Sequence, residues 1–157
     1  MKQLLLTSTM FAALVLMFGA YSAAYSQTVN GTIGGGSVSR GKAAKASIVI
    51  NIPRGLHINS NNPKSEYAIP TTVRLSGPGI RVSGLRYPRG KNRKFQFSEN
   101  EINVYDGRVS FPFTVTVPEN FRGTTVKVHA NVRFQPCTDE VCYSPRTKEI
   151  TVTARVR

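Results

Sequence analysis

The chain has 157 residues and, with 21 Lys and Arg against 8 Asp and Glu, a formal charge of +13. Removing an export segment of residues 1–26 leaves 131 residues, enough for one domain with its own core and not for a second. The basic balance favours acidic partners or polyanions through long-range attraction and says nothing about fold.

Residues 1–26 run from Lys2 through the apolar LLLTSTMFAALVLMFGAYSAA to Ala24, Tyr25 and Ser26, the order of charge, apolar core and small residues of a secretory signal peptide. Small residues three and one places before Gln27 put the expected cleavage between Ser26 and Gln27. An uncleaved anchor is the alternative, because the apolar stretch approaches bilayer-spanning length. No later stretch is apolar enough to span, so the mature chain is expected to be soluble, periplasmic and free of stable membrane insertion. The next segment, TVNGTIGGGSVSRGKAAK, holds five glycines and little apolar periodicity, and residues 27–45 read as a flexible lead-in.

From Ala46 to Arg157 the chain alternates apolar and polar residues in short runs: ASIVINI, TTVRL, GIRVSGL, RVSFPFTVTV, TTVKVHANVRF and KEITVTARV. Val109, Phe111, Phe113, Val115 and Val117 share one face of the fourth run, and Val126, Val128, Ala130, Val132 and Phe134 share one face of the fifth. No run shows helical spacing. The pattern predicts an all-β antiparallel sandwich or barrel. Pro112 cannot donate to a ladder, so its strand is expected to be an edge or bulged there.

YPRGKNRKFQF gathers Arg89, Lys91, Arg93 and Lys94 around aromatics, a pattern that suits polyanions, but in an exported chain it reads as a solvated basic loop and no nucleic acid is expected. His129, between Lys127 and Arg133 on one strand face, reads as solvated. With His57 and two cysteines it would make a zinc or copper ligand set, but no local spacing supports one, so no metal or other cofactor is expected. A Gly-x-Ser-x-Gly elbow, paired catalytic carboxylates and metal motifs are all lacking, which argues against a hydrolase.

FQPCTDEVCYSP holds both cysteines, Cys137 and Cys142, with TDEV between them. An even count in an oxidising compartment makes a disulfide the expected state. The six residues read as a hairpin end between the fifth and sixth runs. So short a loop restrains the unfolded chain by only about 2 kcal/mol, a weak staple. An exposed tip also leaves sulfur open to a thiolate. Asp139 and Glu140 would raise a neighbouring thiol pKa, unlike the setting of a thioredoxin nucleophile. The residues alone leave two readings open, a redox pair and a structural bridge in a non-catalytic binding module.

The segments PRGLHINSNNP, YAIPTTVRL, GIRVSGLRYPRGK, VYDGRV and FQPCTDEVCYSP, in this order, resemble the N-terminal periplasmic domain of the thiol:disulfide interchange protein DsbD across residues 46–157. The resemblance implies an immunoglobulin-like β-sandwich in which Cys137 and Cys142 take electrons from a membrane-embedded donor. They would pass them to thioredoxin-like periplasmic proteins, among them disulfide isomerases and those of cytochrome c maturation. It implies a cap loop at KNRKFQFSENE, with Phe95 or Phe97 shielding the disulfide, and polar residues approaching the pair at His57 and Asn59. Core and turn roles remain the alternatives for these four. A chain that ends at Arg157 is expected not to be a complete DsbD and to draw electrons from another protein. The expected product is a monomeric, stand-alone exchange domain.

Overall fold

The computed structural model describes residues 26–157. The export segment expected over residues 1–26 lies, Ser26 apart, outside them. Twelve strands follow in order: β1 (Thr28–Ile33), β2 (Ser37–Val38), β3 (Ala43–Asn51), β4 (His57–Asn59), β5 (Thr72–Ser76), β6 (Arg81–Ser83), β7 (Lys91–Arg93), β8 (Ile102–Tyr105), β9 (Arg108–Thr116), β10 (Thr125–Phe134), β11 (Pro136–Cys137) and β12 (Arg146–Val156). No helix among the described residues is long and apolar enough to cross a membrane.

Two four-stranded sheets, ordered β1-β3-β9-β6 and β2-β12-β10-β5, form an immunoglobulin-like sandwich, and a short third sheet, β11-β4-β8-β7, closes one end. Pairing is antiparallel except between β12 and β2, which run parallel from Arg155↔Ser37 to Val156↔Val38. The alternation of the long runs is realised directly. Val109, Phe111, Phe113 and Val115 of β9 face Val126, Val128, Ala130, Val132 and Phe134 of β10, all buried. Lys127, His129 and Arg133 stand exposed on the opposite face of β10. Phe111 anchors the middle, with Tyr87 and Tyr105 edge-on at 5.6 and 5.8 Å.

The flexible lead-in expected over residues 27–45 is corrected: β1 pairs with β3 along its whole length, from Thr28↔Asn51 to Ile33↔Ala46. Ile33 and Val38 belong to the core. The glycines that suggested flexibility serve two defined purposes. Gly34, Gly35 and Gly36 take φ of 53°, 64° and 95° in a single turn that carries the chain from the first sheet to the second. Gly31 lies where a Cβ would stand 2.4 Å from Val152 Cγ2. Gly31→Ala is therefore expected to cost about 1–3 kcal/mol through overpacking, measurable as a lowered urea midpoint.

Pro112 is also placed differently from the edge or bulge expected. Its strand, β9, lies between β3 and β6, and Pro112 pairs with Ser47. The β6 ladder, however, ends at Ser83↔Thr114, so the side of Pro112 that cannot donate faces past the end of that strand. There its carbonyl accepts the Arg86 N–H at 3.0 Å. The strand is internal, with a local edge at the proline.

Candidate functional site

The cysteines lie, as expected, in the hairpin connection between β10 and β12, and Cys137 also joins the short third sheet. After Phe134 the chain leaves the β10–β12 pair, and Pro136 and Cys137 of β11 pair with Ile58 and His57 of β4. Cys137 and Cys142 are disulfide-bonded with Cα atoms 4.0 Å apart, as an isolated antiparallel bridge. Backbone bonds close the hairpin on either side of the pair: Thr138 N–H to Val141 O and Tyr143 N–H to Pro136 O, both 2.8 Å. Thr138 Oγ1 also accepts the Glu140 and Val141 N–H groups at 3.2 and 3.1 Å, so the TDEV tip is held from within.

The two sulfurs differ in surroundings. Cys137 is fully buried, whereas Cys142 is partly exposed. Cys142 borders a groove of about 590 Å³ walled by residues 64–68 on one side and 97–100 on the other, with Ile102 and Gln135 beside it. Tyr67, at 91% exposure, and Phe97, at 39%, line this groove, and Val141 and Tyr143, the exposed chain neighbours of Cys142, are 49% and 47% exposed. Glu66, Glu99 and Lys64 also line the groove, so its rim carries charges of both signs.

Four residues proposed from sequence as neighbours of the pair meet at this end of the molecule in distinct ways. His57 is buried and lies opposite Cys137 in the β4–β11 ladder. Phe95 is buried with Ile102 and Val104 and stacks on His57 at 4.3 Å. Phe97 stacks on Phe95 in turn, at 5.2 Å, and reaches the Cys142 groove. The loop bearing both phenylalanines is tied to itself: the Lys94 ammonium donates to Glu99 O, and Ser98 Oγ donates to Asn100 O at 2.8 Å. Asn59 has a supporting contact instead. Its Nδ2 donates to Gln135 Oε1 at 2.9 Å and to Ile69 O at 3.2 Å.

Gln135, which the sequence did not single out, is the hub of that support. Its Oε1 also accepts the Ile69 N–H at 3.0 Å, and its Nε2 donates to Tyr143 O at 3.2 Å. One side chain thus joins the groove wall to the strand leaving Cys142. Arg93 is the second such residue. Its guanidinium bonds Asp139 Oδ1 at 3.1 Å and lies 5.1 Å from the Phe95 ring centroid, linking cap loop to disulfide tip. The negative charge expected to bear on the thiols is therefore partly matched at Asp139. Lys91 likewise pairs with Asp106 at 2.8 Å. Burial first, then the Arg93 charge, pushes the His57 pKa down to about 4, against the opposing pull of Asp139 and Asp106. The ring is therefore neutral at pH 7. Among the described residues no cluster of three potential metal ligands occurs, and His129 lies on the far sheet, bonded to Thr151 Oγ1 at 3.0 Å.

A two-sheet immunoglobulin-like sandwich with one disulfide in a short accessory sheet defines the class of this molecule. The family described as thiol:disulfide interchange protein DsbD, N-terminal, matches residues 36–154, and the chain belongs to that family. In three dimensions it is similar to the N-terminal periplasmic domain of ScsB from Proteus mirabilis, with TM-score 0.52 and 13% identity over 82% of this chain. The match spans 45% of that chain, less than half its length. A similarity to the GAE domain of GGA2p from Saccharomyces cerevisiae has TM-score 0.43 and 13% identity, covering 80% of this chain and 88% of that one. Comparison with curated proteins finds no match.

Proposed function

We propose that this domain carries reducing equivalents between protein partners by thiol–disulfide exchange at Cys137 and Cys142, in the periplasm after removal of residues 1–26. The carrying observation is the unequal burial of the two cysteines, Cys137 buried and Cys142 partly exposed beside the groove, which favours attack by a thiolate at Cys142. A partner's thiolate attacks Cys142 Sγ and forms a mixed disulfide, while the electron pair of the broken bond leaves on Cys137 Sγ, which takes a proton. The partner's second thiolate then attacks its own sulfur in the mixed disulfide and releases Cys142. The domain gains two electrons and two protons, and the partner leaves as a disulfide. Run backwards with an oxidised acceptor, the same steps pass the electrons on.

The groove beside Cys142, with its exposed aromatics, supports docking of a thioredoxin-like dithiol protein. Phe97 and, beneath it, Phe95 act as the cover over the pair, and His57 and Asn59 as its surroundings. Phe97→Ala should change stability by about 0.5 kcal/mol, as exposed positions do, yet speed reduction of the bridge by small thiols several-fold. Unchanged stopped-flow reduction kinetics would remove the shielding role. The function itself is tested by equilibration with glutathione. A redox pair is expected to show a potential above roughly −300 mV, and a structural bridge one below it. A reduced form that unfolds at ambient temperature would overturn the proposal.

A further inference from the structure

The His57 ring is 1% exposed, and neither Nδ1 nor Nε2 has a hydrogen-bond partner. Asp139 Oδ1 is 4.0 Å from Nδ1 and is engaged by Arg93. A buried polar group left unpaired is costly, and native interiors rarely tolerate one without a reason. The stack on Phe95 and the β4 register hold the ring in place. Directly opposite residues of an antiparallel pair point to the same side with Cβ atoms about 4.5–5.5 Å apart. His57 therefore stands beside Cys137, the sulfur that partners cannot reach. In the disulfide that sulfur has no proton to offer and little capacity to accept one. As a thiol or thiolate it has both.

We infer that reduction supplies the missing partner: Cys137 and His57 form a hydrogen bond that exists only in the reduced protein and favours the dithiol over the disulfide. The inference rests on the exchange chemistry proposed above and adds a residue that sets its equilibrium. As the S–S bond breaks, its electron pair stays on Cys137 Sγ and the N–H of the neutral ring donates to the developing thiolate. When solvent returns the proton that the attacking thiol lost, the thiol S–H can donate to the ring in turn. Buried in an apolar pocket without this neighbour, Cys137 would be a poor leaving group.

The test uses the full mature chain in a dithiothreitol redox buffer, which needs no protein partner. His57→Phe keeps the aromatic stack and removes both nitrogens. Its dithiol–disulfide equilibrium constant is expected to fall about tenfold toward the disulfide, ~30 mV, the worth of one net hydrogen bond. An unchanged constant overturns the inference. The wild-type protein supplies an independent reading: ¹⁵N shifts of the His57 ring should move at one nitrogen on reduction, and identical shifts in both forms would overturn it too. Exchange with a thioredoxin-like dithiol protein, run in parallel, reports on the proposed function alone. If that exchange is absent while His57→Phe still shifts the equilibrium, the function fails and the inference stands.

Discussion

Cys137→Ser is expected to accumulate a covalent complex with a thioredoxin-like partner whose attacking cysteine is activated as a mixed disulfide, whereas Cys142→Ser is expected to form almost none. The first variant leaves the accessible thiol beside the groove and removes the internal sulfur that would resolve the complex. The second leaves only a thiol that is fully buried. Non-reducing electrophoresis measures the difference after each variant is mixed with a partner whose resolving cysteine is replaced and whose remaining cysteine carries thionitrobenzoate in a mixed disulfide, so that attack by the domain's thiolate expels thionitrobenzoate. Equal trapping by both variants would contradict attack at Cys142. Replacing both cysteines by Ser should abolish exchange altogether and cost the fold only about 2 kcal/mol, because the closed loop is six residues long. The hairpin has other restraints in the Thr138 and Gln135 bonds, which survive that substitution. A double variant that fails to fold would identify the bridge as a staple.

Much of the sandwich was legible because its strands are half-buried. A strand with one face on the core writes a period of two into the sequence, and β9, β10 and β12 do so over nine or more residues. The first strand was not legible. β1 buries Ile33, but Gly31 gives up a side chain so that Val152 can approach, and the apolar signal drops out. The short third sheet was hidden for another reason: its strands are two to four residues long, below the length at which any period can be read. Hence the place of the cysteines at the end of the β10–β12 hairpin could be read, but the pairing of Cys137 with His57 on β4 could not. Residue types alone suggested the disulfide, and family resemblance suggested Phe95, Phe97, His57 and Asn59 around it. Gln135 and the Arg93–Asp139 pair were beyond reach, since contacts separated by 46 to 76 positions leave no local trace.

Acid should weaken the oxidised protein through one buried ring. In the unfolded chain His57 titrates near its ordinary value of 6.5, but in the fold burial and the adjacent Arg93 lower its pKa to about 4, with Asp139 and Asp106 pulling the other way. Between these values the unfolded chain binds a proton that the folded one refuses. Stability from this group is therefore complete above pH 6.5, declines as pH falls toward 4, and levels off once the folded ring is protonated. At 1.36 kcal/mol per pKa unit the loss approaches ~3 kcal/mol, a large share of a small domain's stability. Urea unfolding of the oxidised form at pH 7, 5.5 and 4.5 gives the slope, and the same series on His57→Phe subtracts every other titrating group. Wild type should lose stability relative to His57→Phe steadily with acid. Arg93→Gln should make the decline smaller and end it at a higher pH, because it removes the cation that repels the imidazolium, frees Asp139 to stabilise it, and so raises the folded pKa towards 6.5. Parallel pH curves for wild type and His57→Phe would mean that the ring takes up its proton in the folded state as readily as in water, and that it is not held neutral beside Cys137.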